Sequence, residues 1–181
     1  MEWLPLEYIC FHLRAIDWQE IHGNLPSGNP LYLASMLMQA VARQGVGWVA
    51  FLGARPAAWL AVFEQWPGNW QVSLAGTDAF PGAILALRAC WPKAVRYAVR
   101  HGCHRIEARS HDLHHEGRRL AKSFGAAHEG VLRAYGRDGH DYHQLAWTGA
   151  ALREAARSDL EEGLDGSPSV STGDSNVPWW Q

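Results

Sequence analysis

Cysteine is scarce: Cys10, Cys90 and Cys103 are the only thiols in 181 residues. They are too few and too scattered for a disulfide framework or a zinc knuckle, which makes a reducing compartment the default. No apolar run approaches the ~18 residues of a membrane span. The N-terminus lacks a basic stretch followed by an apolar one, so no signal peptide is expected. Internal repeats are absent. Net charge is nearly absent too, with 16 basic against 18 acidic side chains and a formal charge of −2. That balance argues against a membrane surface or a specific nucleic acid as partner. What the chain does have is apolar and aromatic. Hydrophobic residues make up 48 % of it and there are ten tryptophans. Such a composition excludes a wholly disordered chain and is enough to bury a core.

The near-zero charge hides a pattern. Residues 1–87 carry three basic and six acidic side chains, residues 88–137 eleven and four, and residues 138–181 two and eight. A basic centre between acidic ends suits an anionic ligand or an acidic partner, or simply a solvated helix face.

Periodicity predicts a mixed α/β order. Tyr8 to Arg14 alternates and reads as a first strand, and Asp17 reads as the N-cap of a short helix through His22. Leu31 to Gln44 has helical apolar spacing and stops at Gly45 and Gly47. Trp48–Leu52, Ala58–Phe63 and Trp70–Leu74 read as a three-strand meander joined by turns at Gly53–Pro56 and Pro67–Asn69. Thr77 or Asp78 is the expected cap of a long helix to His101, with Pro81 in its first turn and Pro92 a predicted kink. Arg105–Ser110 is a strand, Leu113–Phe124 a helix closed by Gly125, and Val131–Tyr135 and Tyr142–Trp147 a hairpin. Residues 149–162 form a polar helix. Residues 163–181 are Gly/Ser/Asp-rich and read as a linker ending in Trp179-Trp180-Gln181.

The stretch from His101 to Trp147 resembles the second half of a GCN5-related N-acetyltransferase (GNAT). The matches are Gly102, Arg105-Ile106-Glu107-Ala108, Leu120, Gly125, Glu129-Gly130-Val131-Leu132-Arg133 and Asp138-Gly139 followed by Tyr142. FHLRAIDWQEI is similar to that family's first strand and helix. The resemblance covers about residues 8–148. It implies a GNAT-like, largely antiparallel sheet flanked by helices, carrying here a C-terminal extension. It also implies a Gly-rich loop that binds the coenzyme A pyrophosphate on backbone N–H groups. Here that loop is Thr77-Asp78-Ala79-Phe80-Pro81-Gly82-Ala83, with one glycine, an acidic side chain and a proline that removes a donor. The family's cofactor-contacting Asn corresponds to His114, and its thiolate-protonating Tyr to Ala121. Neither Tyr135 nor Tyr142 falls at the acid's position. TDAFPGAILALRACWPKAVRYAVRHGCHRIEARS, EGVLRAYGRDGHDY and the QLAW ending are also similar to acetyltransferase-like virion and assembly proteins of tailed, short-tailed bacteriophages. That narrower likeness implies a phage virion protein made in the host cytoplasm, without a cofactor.

Other constellations compete with plainer readings. His111 and His115 are four apart in HDLHHE and would share a metal if one helix held both, but no third ligand stands at a recognised spacing, so no metal is expected. Cys103 lies between His101 and His104, yet its place after Gly102 reads as a buried structural thiol. Arg118, Arg119 and Lys122 would meet an anion, or water. If the domain is instead an acetyl-CoA-dependent N-acetyltransferase, a backbone N–H near Leu74 or Ala75 would hold the oxyanion, and a base such as Glu64 or a water chain would deprotonate the amine. Trp179 and Trp180 are expected to anchor the chain on other virion proteins or on a second copy. The leading expectation is a non-catalytic particle component, with the enzyme as alternative.

Overall fold

The computed structural model describes residues 4–162, and the side chains of residues 4–157. The linker 163–181, Trp3, Trp179 and Trp180 lie outside the described residues. The chain runs α1 (Pro5–Phe11), α2 (Ala15–His22), α3 (Pro30–Gln44), β1 (Gly45–Leu52), β2 (Arg55–Trp66), β3 (Asn69–Gly76) and α4 (Phe80–Arg100). It continues with β4 (Arg105–His111), α5 (His115–Ser123), β5 (Ala127–Leu132), β6 (Tyr142–Thr148) and α6 (Gly149–Glu162). The strands form one six-stranded sheet in the order β1-β2-β3-β4-β6-β5. Every pairing is antiparallel except β3 with β4. This is the mixed, largely antiparallel sheet flanked by helices that the sequence predicts. None of the described helices is long and apolar enough to cross a membrane.

Strand β2 explains why both faces are covered. Its run Ala57 to Val62 is buried throughout, as an apolar strand between two layers must be. Leu60 and Val62 point to α4, where Leu87, Trp91, Val95 and Ala98 form the helix's apolar stripe. Trp59 and Ala61 point the other way, to Leu6 and Ile9 of α1 and Leu33 and Leu37 of α3. Trp70, Trp91 and Trp147 are also buried. Trp147 packs at 4.7 Å against Trp91 and donates to the Phe124 carbonyl at 2.8 Å, which closes α5 onto the sheet. Trp48 is half-buried, whereas Trp18 and Trp66 are exposed.

Several boundaries differ from expectation, each for a physical reason. Tyr8 to Arg14 is not a strand. Leu6, Ile9 and Cys10 bury one face of helix α1, and Pro5 occupies its first turn. Seven alternating residues fit both periods, and the packing surface on α3 and β2 decides for the helix. Asp17 caps nothing in α2, which begins after Arg14. Thr77 and Asp78 are not the N-cap of α4 either; Ala79 is. The helix after β4 starts at His115 rather than Leu113, so His111 closes a strand and His115 opens a helix. Strand β5 covers Ala127–Leu132 rather than Val131–Tyr135. Ala134 takes φ +48° and ends any strand there, while a register shift between His128 and Gly130 accommodates the earlier start. Helix α4 continues through the buried Pro92 to Arg100.

Replacing Trp147 by Ala should lower unfolding free energy by about 3–5 kcal/mol in urea titrations, because a buried ring and its hydrogen bond are both lost. Leu85, 80 % exposed on α4, should tolerate the same change within about 0.5 kcal/mol.

Candidate functional site

Strands β3 and β4 pair through only three residues each, Asn69–Gln71 with Arg105–Glu107. Beyond them the strands part, and a cavity of about 940 Å³ opens in the gap. Its walls include Leu74 and Ser73 from β3, Ala108 and Ser110 from β4, and Phe80 and Ala121 from the helices above. The direction of the β3 amides follows from strand alternation. Thr77 N–H donates to Ala57 of β2 at 2.8 Å, and Gly76 N–H points the opposite way, to Asp17 Oδ2 at 3.0 Å. With period two, Leu74 N–H faces the gap and Ala75 N–H faces β2. Of the two positions expected to offer an oxyanion donor, Leu74 has the right direction.

The start of α4 has a different character. A pyrophosphate needs free backbone N–H groups at a helix N-terminus. Here Ala79 N–H donates to Thr77 Oγ1 at 3.2 Å, Phe80 N–H to the Thr77 carbonyl at 2.9 Å and Gly82 N–H to the Ala79 carbonyl at 3.1 Å. Pro81 has no N–H to offer. Phe80 is buried, and the Arg14 guanidinium lies 4.1 Å over its ring. Arg14 is held in turn by two hydrogen bonds to the Asp17 carboxylate, at 2.8 and 2.9 Å. These residues do not fit a coenzyme A pyrophosphate at this helix end.

The cluster beside the gap is polar and mostly buried. Glu20 Oε2 accepts from Ser110 Oγ at 2.8 Å and from His111 N–H at 2.7 Å, and lies 3.0 Å from His114 Nδ1. The other His114 nitrogen lies 3.8 Å from Asp17. Burial alone pushes the His114 imidazole down, but the hydrogen bond and charge of Glu20, with the charge of Asp17, more than offset it and raise its pKa. Burial raises the Asp17 carboxyl despite Arg14 beside it. Glycine is required at Gly117, where a Cβ would stand 2.8 Å from the His114 ring.

The remaining expected residues are dispersed. Glu64 accepts from Gly68 N–H at 2.9 Å and serves the β2–β3 turn, not the cavity. Glu20 and His114, not Glu64, line the gap. Cys103 is buried, bonds its own neighbourhood through the Arg105 carbonyl, and has its thiol pushed up to about 11 by burial, as an inert structural thiol should. His101 pairs with the Tyr97 carbonyl. Arg118 is spent on the His111 carbonyl and His115, so only Arg119 of the expected basic group reaches the cavity wall. His111 and His115 sit on different elements and share no site. Tyr142 is fully buried and donates to the Glu20 carbonyl at 2.8 Å, and burial raises its pKa. Tyr135 reaches the wall, where Arg109 donates to its hydroxyl at 3.0 Å. Sequence reasoning missed Glu20 because its partners lie 90 or more residues away. It missed Arg14 because the ring beneath it, Phe80, belongs to a distant helix.

Replacing Glu20 by Ala leaves three donors without their acceptor. Stability should fall by about 1–3 kcal/mol in chemical denaturation, and the His111 amide should exchange faster. Glu116→Ala, on the exposed side of α5, should change stability by less than about 0.5 kcal/mol.

No protein-family model and no curated protein matches the sequence. Solved structures do match. A protein assigned as an acetyltransferase from T. thermophilus superposes with TM-score 0.63 at 17 % identity, over 88 % of each chain. RimJ of Mycobacterium smegmatis, solved with CoA-disulfide, gives 0.56 at 20 % identity over 74 % of this chain and 68 % of its own. An acetyltransferase-assigned protein from Salmonella typhimurium, solved with acetyl-CoA, gives 0.55 at 13 % identity over 66 % and 73 %. At these identities the likeness establishes architecture, and the architecture of this chain is the GNAT acetyltransferase fold.

Proposed function

We propose that this chain uses an acetyltransferase fold as a binding and assembly component rather than as a coenzyme A-dependent enzyme. The setting we propose is the particle of a tailed bacteriophage, on the sequence likeness carried by residues 77–110, 129–142 and 144–147. The observation that supports a non-catalytic role is the start of α4, where the Ala79, Phe80 and Gly82 amides donate to Thr77 and Ala79. Ala121 at the acid's position agrees with it. Partner contact is assigned to the tail, through Trp179 and Trp180.

A second reading is an acetyl-CoA-dependent N-acetyltransferase acting on an amine. It is favoured by the parted strands and by the Glu20–His114 pair at the cavity. In that reading Leu74 N–H would hold developing negative charge and Glu20 would hold a proton.

Titration calorimetry of the full chain with acetyl-CoA separates the two. No heat at micromolar concentrations is expected. Micromolar binding accompanied by acetyl transfer to an amine would replace the first reading by the second. The double variant Trp179→Ala, Trp180→Ala should reduce co-sedimentation with particles by about tenfold or more, as loss of paired aromatic anchors does. Unchanged co-sedimentation would remove the tail from the interface.

A further inference from the structure

His111, Asp112 and His140 come together where the C-terminal end of β4 meets the β5–β6 hairpin, and their ligand atoms all lie within 4.8 Å of one another. None of the contacts described for the Glu20 cluster uses their side chains. His111 Nδ1 lies 2.9 Å from Asp112 Oδ1, and His140 Nδ1 lies 3.5 Å from the same oxygen. Ligand atoms about 2.0–2.1 Å from a tetrahedral zinc are about 3.4 Å apart, so the two spacings to Asp112 are near those of a shared ion.

The hydrogen bonds around the group are the second observation. Leu113 N–H donates to His111 Nδ1 at 3.1 Å, which makes that nitrogen an acceptor. An accepting nitrogen cannot also donate to Asp112. Asp112 Oδ1 is buried and has no hydrogen-bond donor among the described residues. Asp112 Oδ1 is thus a buried acceptor without a donor, 2.9 Å from the His111 nitrogen, and a metal ion taking the place of the Leu113 N–H on that nitrogen would satisfy both atoms.

The surroundings hold the group in place. Asp112 N–H donates to the Asp141 carbonyl at 3.0 Å, which ties the two loops through their backbones. His140 N–H donates to Asp138 Oδ1 at 3.3 Å, and its carbonyl accepts from Gly136 N–H at 3.0 Å. Tyr142 packs edge-on against the buried His111 ring. Arg118, the cation that reaches the His111 backbone, is engaged by the His111 carbonyl and His115. Two imidazoles and one carboxylate are borderline ligands of the kind zinc takes, leaving a fourth position for water.

We propose that His111, Asp112 and His140 form a divalent transition-metal site, selective for zinc over magnesium or calcium. The bound ion clips the β4–α5 junction to the β5–β6 hairpin. His111 N–H also holds Glu20, so the clip steadies one wall of the cavity.

The test uses the full chain, purified without a histidine tag and stripped with a chelator. Zinc chloride titrated by calorimetry should bind at one equivalent per chain, and cobalt should give the intense visible bands of tetrahedral coordination. Zinc should raise the melting temperature of the wild-type chain and shift the Leu113 amide resonance, because coordination at Nδ1 displaces its hydrogen bond. His140→Ala sits on an exposed loop and should fold normally. It and Asp112→Asn should each weaken zinc binding about tenfold or more, the scale of losing one ligand or its support. His143→Ala alters the other close imidazole pair, His128 with His143 at 2.9 Å, and should leave binding unchanged. Absence of one-equivalent binding, or binding lost in His143→Ala but kept in His140→Ala, would overturn the assignment.

Discussion

The short parallel pairing of β3 with β4 is the constraint on which the rest of the molecule depends. Three residue pairs hold the two halves of the sheet together, and beyond Gln71 and Glu107 nothing pairs the two strands. A continued ladder would leave no gap, and Leu74 N–H would be spent on β4. Because the strands part, a cavity of about 940 Å³ runs through the sheet layer. Its walls come from both sides of the sheet, and α4 and α5 stand over one side of it.

Polar groups at the gap need partners, since buried donors and acceptors are costly when unpaired. The chain meets that need from α2 and the loop before it. Asp17 takes the Gly76 N–H and holds Arg14, and Glu20 gathers Ser110, His111 and His114. The same contacts that stabilise the gap also alter what it can bind. Arg14 lies over Phe80, and the first amides of α4 turn inward on Thr77 and Ala79. A helix start that satisfies its own donors is stable without an anion, whereas a cradle built for pyrophosphate leaves them open.

Much of the architecture is legible in local pattern. The alternation of Ile106 and Ala108 with Arg105, Glu107 and Arg109 marks β4. The spacing of Leu87, Trp91, Val95 and Ala98 marks the buried face of α4. The glutamate-glycine pair, Glu129-Gly130, and Asp138-Gly139 mark the final hairpin, although the strand begins earlier than Val131. The first element is ambiguous because Tyr8 to Arg14 is short, and over seven residues the strand and helix periods overlap. The two carboxylates of α2 are invisible as site residues. Nothing in AIDWQEIH distinguishes a solvated acid from one whose partner lies 59 or 91 residues later.

The sequence by itself determined the sheet-and-helix class, the meander, the long apolar face of α4 and the poverty of the glycine loop. Those features follow from side-chain periodicity and from the presence or lack of single residues, which are local properties. Tertiary structure alone decided which amide faces the gap and that Glu64 serves a turn while Glu20 serves the cavity. It also decided that His111 meets His140 rather than His115. Each of those depends on which distant segments share a desolvated volume, and no spacing along one chain segment encodes that.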